Sequence, residues 1–293
     1  MASEYKAIVW RGKPQLEQRL PPLVPRGWVL LRVESARWCP LDTAVAAGIL
    51  PAENGVVMGC SGAGTVVELG VDADTSLAGK RAALVHVDEH YLPPLRGDGF
   101  LAGYVSVPST HLAEVNDASP LAAFLLDFSL TCEAASRAAD ADRVLVAGCG
   151  SFGLFAALAL ADMGYRVSLY TGSSSAKRLA KSLGLELVEK PGQRYDAVVA
   201  ASLDVYMLKR VLSASRPRKL LLHPVFAFHA WPSCRWCKRL EVVTLQGREA
   251  GCAKTLLSKA RRIVEESVGV VDGLSVPPWD SGPVLGYVFR LRV

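Results

Sequence analysis

The sequence predicts an α/β chain in which a β-rich part precedes a doubly wound parallel sheet. Three observations carry that expectation. Short apolar runs punctuated by Gly and Pro fill the chain to about Asn116, strand-like and helix-like segments alternate after it, and a glycine-rich turn stands between them. That turn, Gly148-Cys149-Gly150-Ser151-Phe152-Gly153, ends the apolar run Val144 to Ala147 and passes directly into a helical pattern from Leu154 to Met163.

The elements follow in order. Trp28 to Val33 and Gly64 to Leu69 read as strands, separated by breakers such as Gly12-Lys13-Pro14 and Pro21-Pro22. Arg81 to Val85 reads as another strand, and Leu121 to Ala138 as a bridging helix. Beyond the glycine turn, Arg166 to Tyr170 and Tyr195 to Ala200 read as strands, with a helix from Ala176 to Leu183 between them. Val205 to Ser213 reads as a helix, and Lys219 to Leu222 and Leu240 to Leu245 as further strands. The tail from Gly286 to Val293 alternates like a strand and is expected to return to the first domain, leaving a ligand cleft between two domains. The expected domains are residues 1–120 with 266–293, and residues 121–265.

Composition narrows the function classes. The chain has 293 residues, 51% of them hydrophobic, enough to bury substantial cores. Its net charge of +5 is not gathered into basic tracts, so nucleic acid is not an expected partner, although anionic ligands are mildly favoured. The opening Met1-Ala2-Ser3-Glu4-Tyr5-Lys6 lacks an apolar signal core, and no apolar run approaches the roughly 18 residues of a membrane helix. Seven cysteines, mostly far apart, do not read as a secreted disulfide framework. A cytoplasmic location with no membrane partner is therefore expected.

The glycine turn has a physical reading. Gly148 permits a tight turn off the strand, Gly150 allows backbone to approach a pyrophosphate, and Gly153 lets the helix pack close to the sheet. The helix N-terminus, starting at Ser151 and Phe152, then faces the phosphates of a dinucleotide. After the next strand, where an NAD site carries Asp or Glu for the ribose 2′-hydroxyl, this chain reads Thr171-Gly172-Ser173-Ser174-Ser175-Ala176-Lys177-Arg178. Hydroxyls, backbone amides and the cations Lys177 and Arg178 suit a 2′-phosphate, so NADP(H) is expected over NAD(H). A serine-rich cap for the following helix is compatible with the same residues.

The chain resembles the medium-chain dehydrogenase/reductase superfamily, which includes alcohol dehydrogenases and quinone oxidoreductases. The resemblance rests on Cys39-Pro40-Leu41-Asp42 with Gly48, on Gly59-Cys60-Ser61-Gly62-Ala63-Gly64-Thr65-Val66, on Asp98 to Val105, and on the Gly148 to Gly153 turn. It implies a GroES-like β-rich catalytic domain, a Rossmann domain, hydride transfer on a small-molecule substrate, and homodimers formed through the Rossmann sheet edge. By the same resemblance, zinc members supply a Cys, a His and an acidic or Cys residue, which fall here on Cys39, Cys60 and Asp127. Two thiolates and a carboxylate are chemically able to bind zinc. The chain departs from that pattern at Cys60, where His is usual, at Ser61, where an acid follows, and at Leu41, where a hydroxyl residue relays a proton. In the zinc-free quinone oxidoreductases the first segment reads Asn-Pro-x-Asp, and on that view Cys39 and Cys60 are buried apolar filler and Asp42 a structural carboxylate. Both readings stand at the level of sequence.

Two histidine-bearing stretches remain. His86, Asp88 and His90 alternate and are expected in a solvated loop, with a metal site as the less favoured reading. His223 follows the strand Lys219 to Leu222, whose end points to the nicotinamide in such sheets, and either donates a proton there or is satisfied by backbone. His229, Cys234 and Cys237, with Trp231 and Trp236, are expected to fill the core or an interface rather than bind metal. Together these readings predict an NADP(H)-dependent alcohol dehydrogenase-like oxidoreductase with Cys39, Asp42, Cys60 and His223 at its reactive end. The alternatives are a zinc-free quinone or enone reductase and a non-catalytic dinucleotide-binding partner subunit.

Overall fold

The structure, a computed structural model, describes residues 4–116, 119–192, 194–228, 240–278 and 282–291. It divides into two units: Met1–Leu126 with Leu257–Val293, and Asp127–Leu256.

The first unit is built on β1 (Tyr5–Trp10), β2 (Pro14–Arg19), β3 (Trp28–Trp38), β4 (Ser61–Leu69), β5 (Arg81–Leu84), β6 (Tyr104–Pro108) and β7 (Leu112–Glu114), with a short helix α1 (Pro40–Ala46). Strands β1 and β2 form an antiparallel hairpin. β3 is the hub of the larger sheet: it pairs antiparallel with β4 and with β6. Its eleven residues extend well past the six, Trp28 to Val33, that announce it, because neighbours bury Ser35, Ala36, Arg37 and Trp38 as thoroughly as Val29 and Leu31. Glu34 ties the sheet laterally, its carboxylate accepting from the Thr65 hydroxyl and from Arg81 Nε, both at 2.6 Å. Ala7, Val9, Val57 and Ala102 pack as a small apolar core beneath Tyr5.

The second unit begins within α2 (Leu125–Arg137). Its strands are β8 (Arg143–Ala147), β9 (Arg166–Tyr170), β10 (Glu186–Leu187), β11 (Ala197–Ala200), β12 (Lys219–Leu222) and β13 (Glu241–Thr244), separated by α3 (Ser151–Asp162), α4 (Ser174–Ser182) and α5 (Val205–Ser215). All pairings in this sheet are parallel, and its spatial order is β10-β9-β8-β11-β12-β13. Strands β8 and β11 are buried along almost their whole length, as expected for strands covered on both faces. Helix α3 is apolar on nearly every side and buried likewise. The expected doubly wound parallel sheet is thus present. The direction of winding reverses between β8 and β11, the place where such sheets open a ligand crevice.

The chain then forms α6 (Ala250–Ser267), β14 (Gly269–Asp272) and β15 (Tyr287–Arg290). β15 pairs antiparallel with β3 and carries β14 on its other edge, so the tail does return to the first unit. Helix α2 starts later than the bridging segment suggested, since Pro120–Phe124 forms a 3₁₀ turn capped by Ser119. No helix among the described residues is long and apolar enough to cross a membrane. His229, Trp231, Cys234, Trp236 and Cys237 lie outside the described residues.

The cysteine reading needs correction, because the fold pairs Cys39 with Cys60 and Cys132 with Cys252 and leaves Cys149 as the free thiol among the described residues. Separations of 21 and 120 residues hid these pairs, yet the Cα atoms stand 6.3 and 6.2 Å apart, within disulfide reach. Cys132 is one of three α2 residues that grip the start of α6 within the second unit. Ser129 Oγ accepts from the Arg248 and Glu249 amides at 2.9 and 3.1 Å, and Glu133 Oε2 from the Gln246 and Gly247 amides at 2.8 and 2.9 Å. Replacing Cys132 with Ser is expected to lower the stability of the second unit by about 3 kcal/mol, the usual scale for a long-loop bridge. Denaturant unfolding of wild type and variant measures the difference.

Candidate active site

The residues expected to hold a nucleotide lie in the second unit, at the ends of β8, β9, β11 and β12. Gly148 leaves β8 with φ 113°, a conformation that L side chains resist. A Cβ on Gly148 would stand 2.5 Å from the Ala201 carbonyl carbon, just beyond β11. A Cβ on Gly153 would meet the Gly148 carbonyl oxygen and stand 2.9 Å from Ala201 Cβ. Both glycines are therefore fixed by backbone-to-backbone contact at the point where the sheet reverses. Gly150 is the N-cap of α3 and has no side chain to cap the helix, which opens with the buried residues Ser151, Phe152 and Gly153. The positive end of a buried helix suits a pyrophosphate. Cys149, inside the turn, is no nucleophile: burial pushes its thiol up to about 11.

The segment expected to hold the adenosine sits beside it, because the Gly148 amide donates to the Tyr170 carbonyl at the end of β9 at 2.9 Å. Thr171 is buried, Gly172 and Ser173 to Ser175 are exposed, Lys177 is half-buried and Arg178 exposed. Ser173 caps α4 by accepting from the Ala176 amide at 3.3 Å, and its own amide donates to Thr171 Oγ1 at 3.3 Å. The capping reading of this segment is thus present, and helix α4 begins two residues earlier than the sequence suggested. His223 stands at the end of β12 with its ring 5.5 Å from that of Phe152, which links it to the glycine turn. Its Nδ1 accepts from the Val225 amide at 3.3 Å, leaving the ring proton of the neutral form on Nε2.

In the first unit, Cys39 and Cys60 meet around Asp42, and the three donor groups lie within 4.8 Å of one another. Asp42 is fully buried and binds backbone only. Its Oδ1 accepts from the Gly59 amide at 2.6 Å, and Oδ2 from the Cys39 and Cys60 amides at 3.0 and 3.2 Å. Burial raises its pKa to about 6, winning over these three hydrogen bonds and the nearby Arg37. Ser61, in the position where zinc members carry an acid, donates to the Ala123 carbonyl at 2.7 Å. Asp127 is buried on α2 and belongs to the second unit. Sulfurs joined to each other present no thiolate, and both Asp42 oxygens are taken by backbone amides. In this state the cluster does not fit a zinc ion.

His86 and Asp88 also converge, but their partner is His111, not His90. Asp88 Oδ2 lies 3.3 Å from His111 Nε2 and 4.0 Å from His86 Nε2. His90 is exposed and lies 3.9 Å from Glu89. His111 escapes a reading by spacing because 23 residues separate it from Asp88 and only the β5–β7 pairing returns it.

The raised pKa of Asp42 has a pH signature. Between about 4 and 6 the folded chain keeps a proton that the unfolded chain, with an ordinary carboxyl near 3.8, has released. Stability is expected to fall as pH rises through that window, by about 3 kcal/mol at 1.36 kcal/mol per pH unit. Denaturant midpoints across pH measure the slope, and Asp42→Asn is expected to flatten it.

Comparison with known proteins agrees with this geometry. Residues 25–117 match the alcohol dehydrogenase GroES-like domain family. No curated protein matches the chain by sequence. Among solved structures, the cobalt- and zinc-bound thermostable alcohol dehydrogenase from Pyrobaculum aerophilum superposes with a TM-score of 0.71 at 19% identity, covering 98% of this chain and 100% of that one. The acetophenone reductase from Geotrichum candidum NBRC 4597, in complex with NAD, gives 0.73 at 17% identity over 98% and 97%. A Sinorhizobium meliloti 1021 protein bound to NADP gives 0.74 at 17% identity over 98% and 99%. Residues 25–117 thus match an alcohol dehydrogenase GroES-like domain, and the chain shares its fold along almost its whole length with these solved structures.

Proposed function

We propose that the chain is an NADP(H)-dependent oxidoreductase that moves hydride between nicotinamide and an alcohol or carbonyl substrate. The observation that carries this reading is the glycine turn at the reversal of the parallel sheet, closed on Ala201 and leading into the N-terminus of α3. The bound cofactor would supply or accept the hydride. The protein's share is orientation and charge. The amides of Ser151 to Gly153 hold the pyrophosphate, while Thr171, Gly172 and Ser173 with Lys177 and Arg178 hold the adenosine 2′-phosphate. His223, at the end of β12 beside the glycine turn, would donate to the nicotinamide carboxamide or to a substrate oxygen.

Among reductases the joined Cys39 and Cys60 sulfurs favour a class that works without a zinc ion, such as quinone or enone reductases. Asp42, bound by three amides, holds the two cysteine segments in place rather than handling protons. A homodimer is supported by β13, which among the described residues pairs only with β12 and leaves Val242 exposed on a sheet edge.

NADPH is expected to bind more tightly than NADH in a fluorescence titration. Replacing Lys177 and Arg178 with Ala is expected to weaken NADPH roughly tenfold, the scale of one charge-assisted contact, and to leave NADH nearly unchanged. NADPH oxidation should be measured across aldehydes, ketones, quinones and enones. Tight binding without turnover on all of them would replace the enzyme reading with that of a non-catalytic partner subunit.

A further inference from the structure

We propose that His86, Asp88 and His111 form a binding site for one divalent ion of the zinc or cobalt class, separate from the Cys39–Cys60 pair and independent of the nucleotide site. The three donor groups lie within 4.8 Å of one another, and the two separations from Asp88 Oδ2, 3.3 and 4.0 Å, approach what a tetrahedral ion imposes. With metal–ligand bonds of about 2.0–2.1 Å, neighbouring ligands stand roughly 3.3 Å apart.

The site is built from paired backbone, not from a loose loop. β5 and β7 pair at Leu84 and Leu112, and the amides of Val85 and His86 both donate to the His111 carbonyl, at 2.9 and 3.3 Å. That brings the two imidazoles together with centroids 4.5 Å apart and both residues buried. The His111 ring is oriented from two sides. The Tyr91 ring meets it edge-on at 5.8 Å, and the Thr110 hydroxyl lies 3.2 Å from its Nδ1, leaving Nε2 turned to Asp88. A hydrogen-bonded second ring nitrogen is the usual support of a metal-binding histidine.

Asp88 is divided in the same sense. Its Oδ1 accepts from the His90 and Tyr91 amides at 2.8 and 2.9 Å, which fixes the carboxylate and turns Oδ2 toward both histidines. Burial works to raise its pKa, but the two amides and the neighbouring His111 and His86 hold the carboxyl below its ordinary value, in the ionised form that binds metal. Two imidazoles and one carboxylate select ions of borderline softness over oxygen-seeking calcium or magnesium. The partly exposed Asp88 side leaves the remaining position to water.

The test is cobalt titration of the demetallated full-length chain, followed by visible absorption, with thermal unfolding in zinc as a second readout. One equivalent of Co²⁺ is expected, with ligand-field bands and no sulfur-to-cobalt charge-transfer band. It should persist in the Cys39→Ser, Cys60→Ser double variant. Asp88→Asn, which keeps the acceptor for the two amides, and His111→Gln are each expected to weaken binding by roughly tenfold or more and to abolish the zinc-dependent rise in Tm. Asp88→Asn stands alone if the His111 variant does not fold. Failure of the wild type to take up cobalt, undiminished binding in Asp88→Asn, or a sulfur charge-transfer band lost with the two cysteines would each overturn the proposal.

Discussion

The second unit depends on how closely two strand ends approach where its parallel sheet reverses. Gly148 and Gly153 both abut Ala201, and neither position has room for a Cβ without moving backbone. Because the obstruction is main chain, no side-chain rotation relieves it. The same closeness sets the N-terminus of α3 at the reversal of the sheet, so the packing of the turn and the position of the helix start are one constraint. The strand order, the buried all-apolar helix and the turn chemistry agree with one another, as a well-specified fold requires.

In the first unit a carboxylate has the organising part. Asp42 opens α1 and reaches the amides of Gly59 and Cys60, seventeen and eighteen residues on, joining the segment after β3 to the segment before β4. A buried carboxylate is tolerated because backbone donors surround it, and its displaced pKa is the residual cost of its burial.

What the sequence discloses and what it conceals follow from range. The glycine turn and the strands beside it are written in consecutive residues and stand where the pattern put them, and the serine-rich segment does cap its helix, at Ser173, two residues ahead of the expected start. Long-range pairings are not written locally. The bridge between Cys132 and Cys252 and the meeting of Asp88 with His111 depend on strand pairing and helix packing that no spacing rule encodes. Alternation along a strand-like stretch grouped His90 with His86 and Asp88, but the turn that Asp88 makes with the His90 and Tyr91 amides sends His90 to solvent. Asp42 shows a middle case: its residue type and place are visible, while its three amide partners become visible only once Gly59 and Cys60 fold back on it.

The grip of α2 on residues 246–249 and Cys252 uses Ser129, Cys132 and Glu133, three and four positions apart on a single helical face. A helix turns by about 100° per residue, so that face exists only while the count between 129 and 133 is kept. Divergence in this stretch can change side chains one at a time, but a one-residue insertion or deletion would swing two of the three anchors away together. The length of this helical segment is therefore under tighter restraint than its composition.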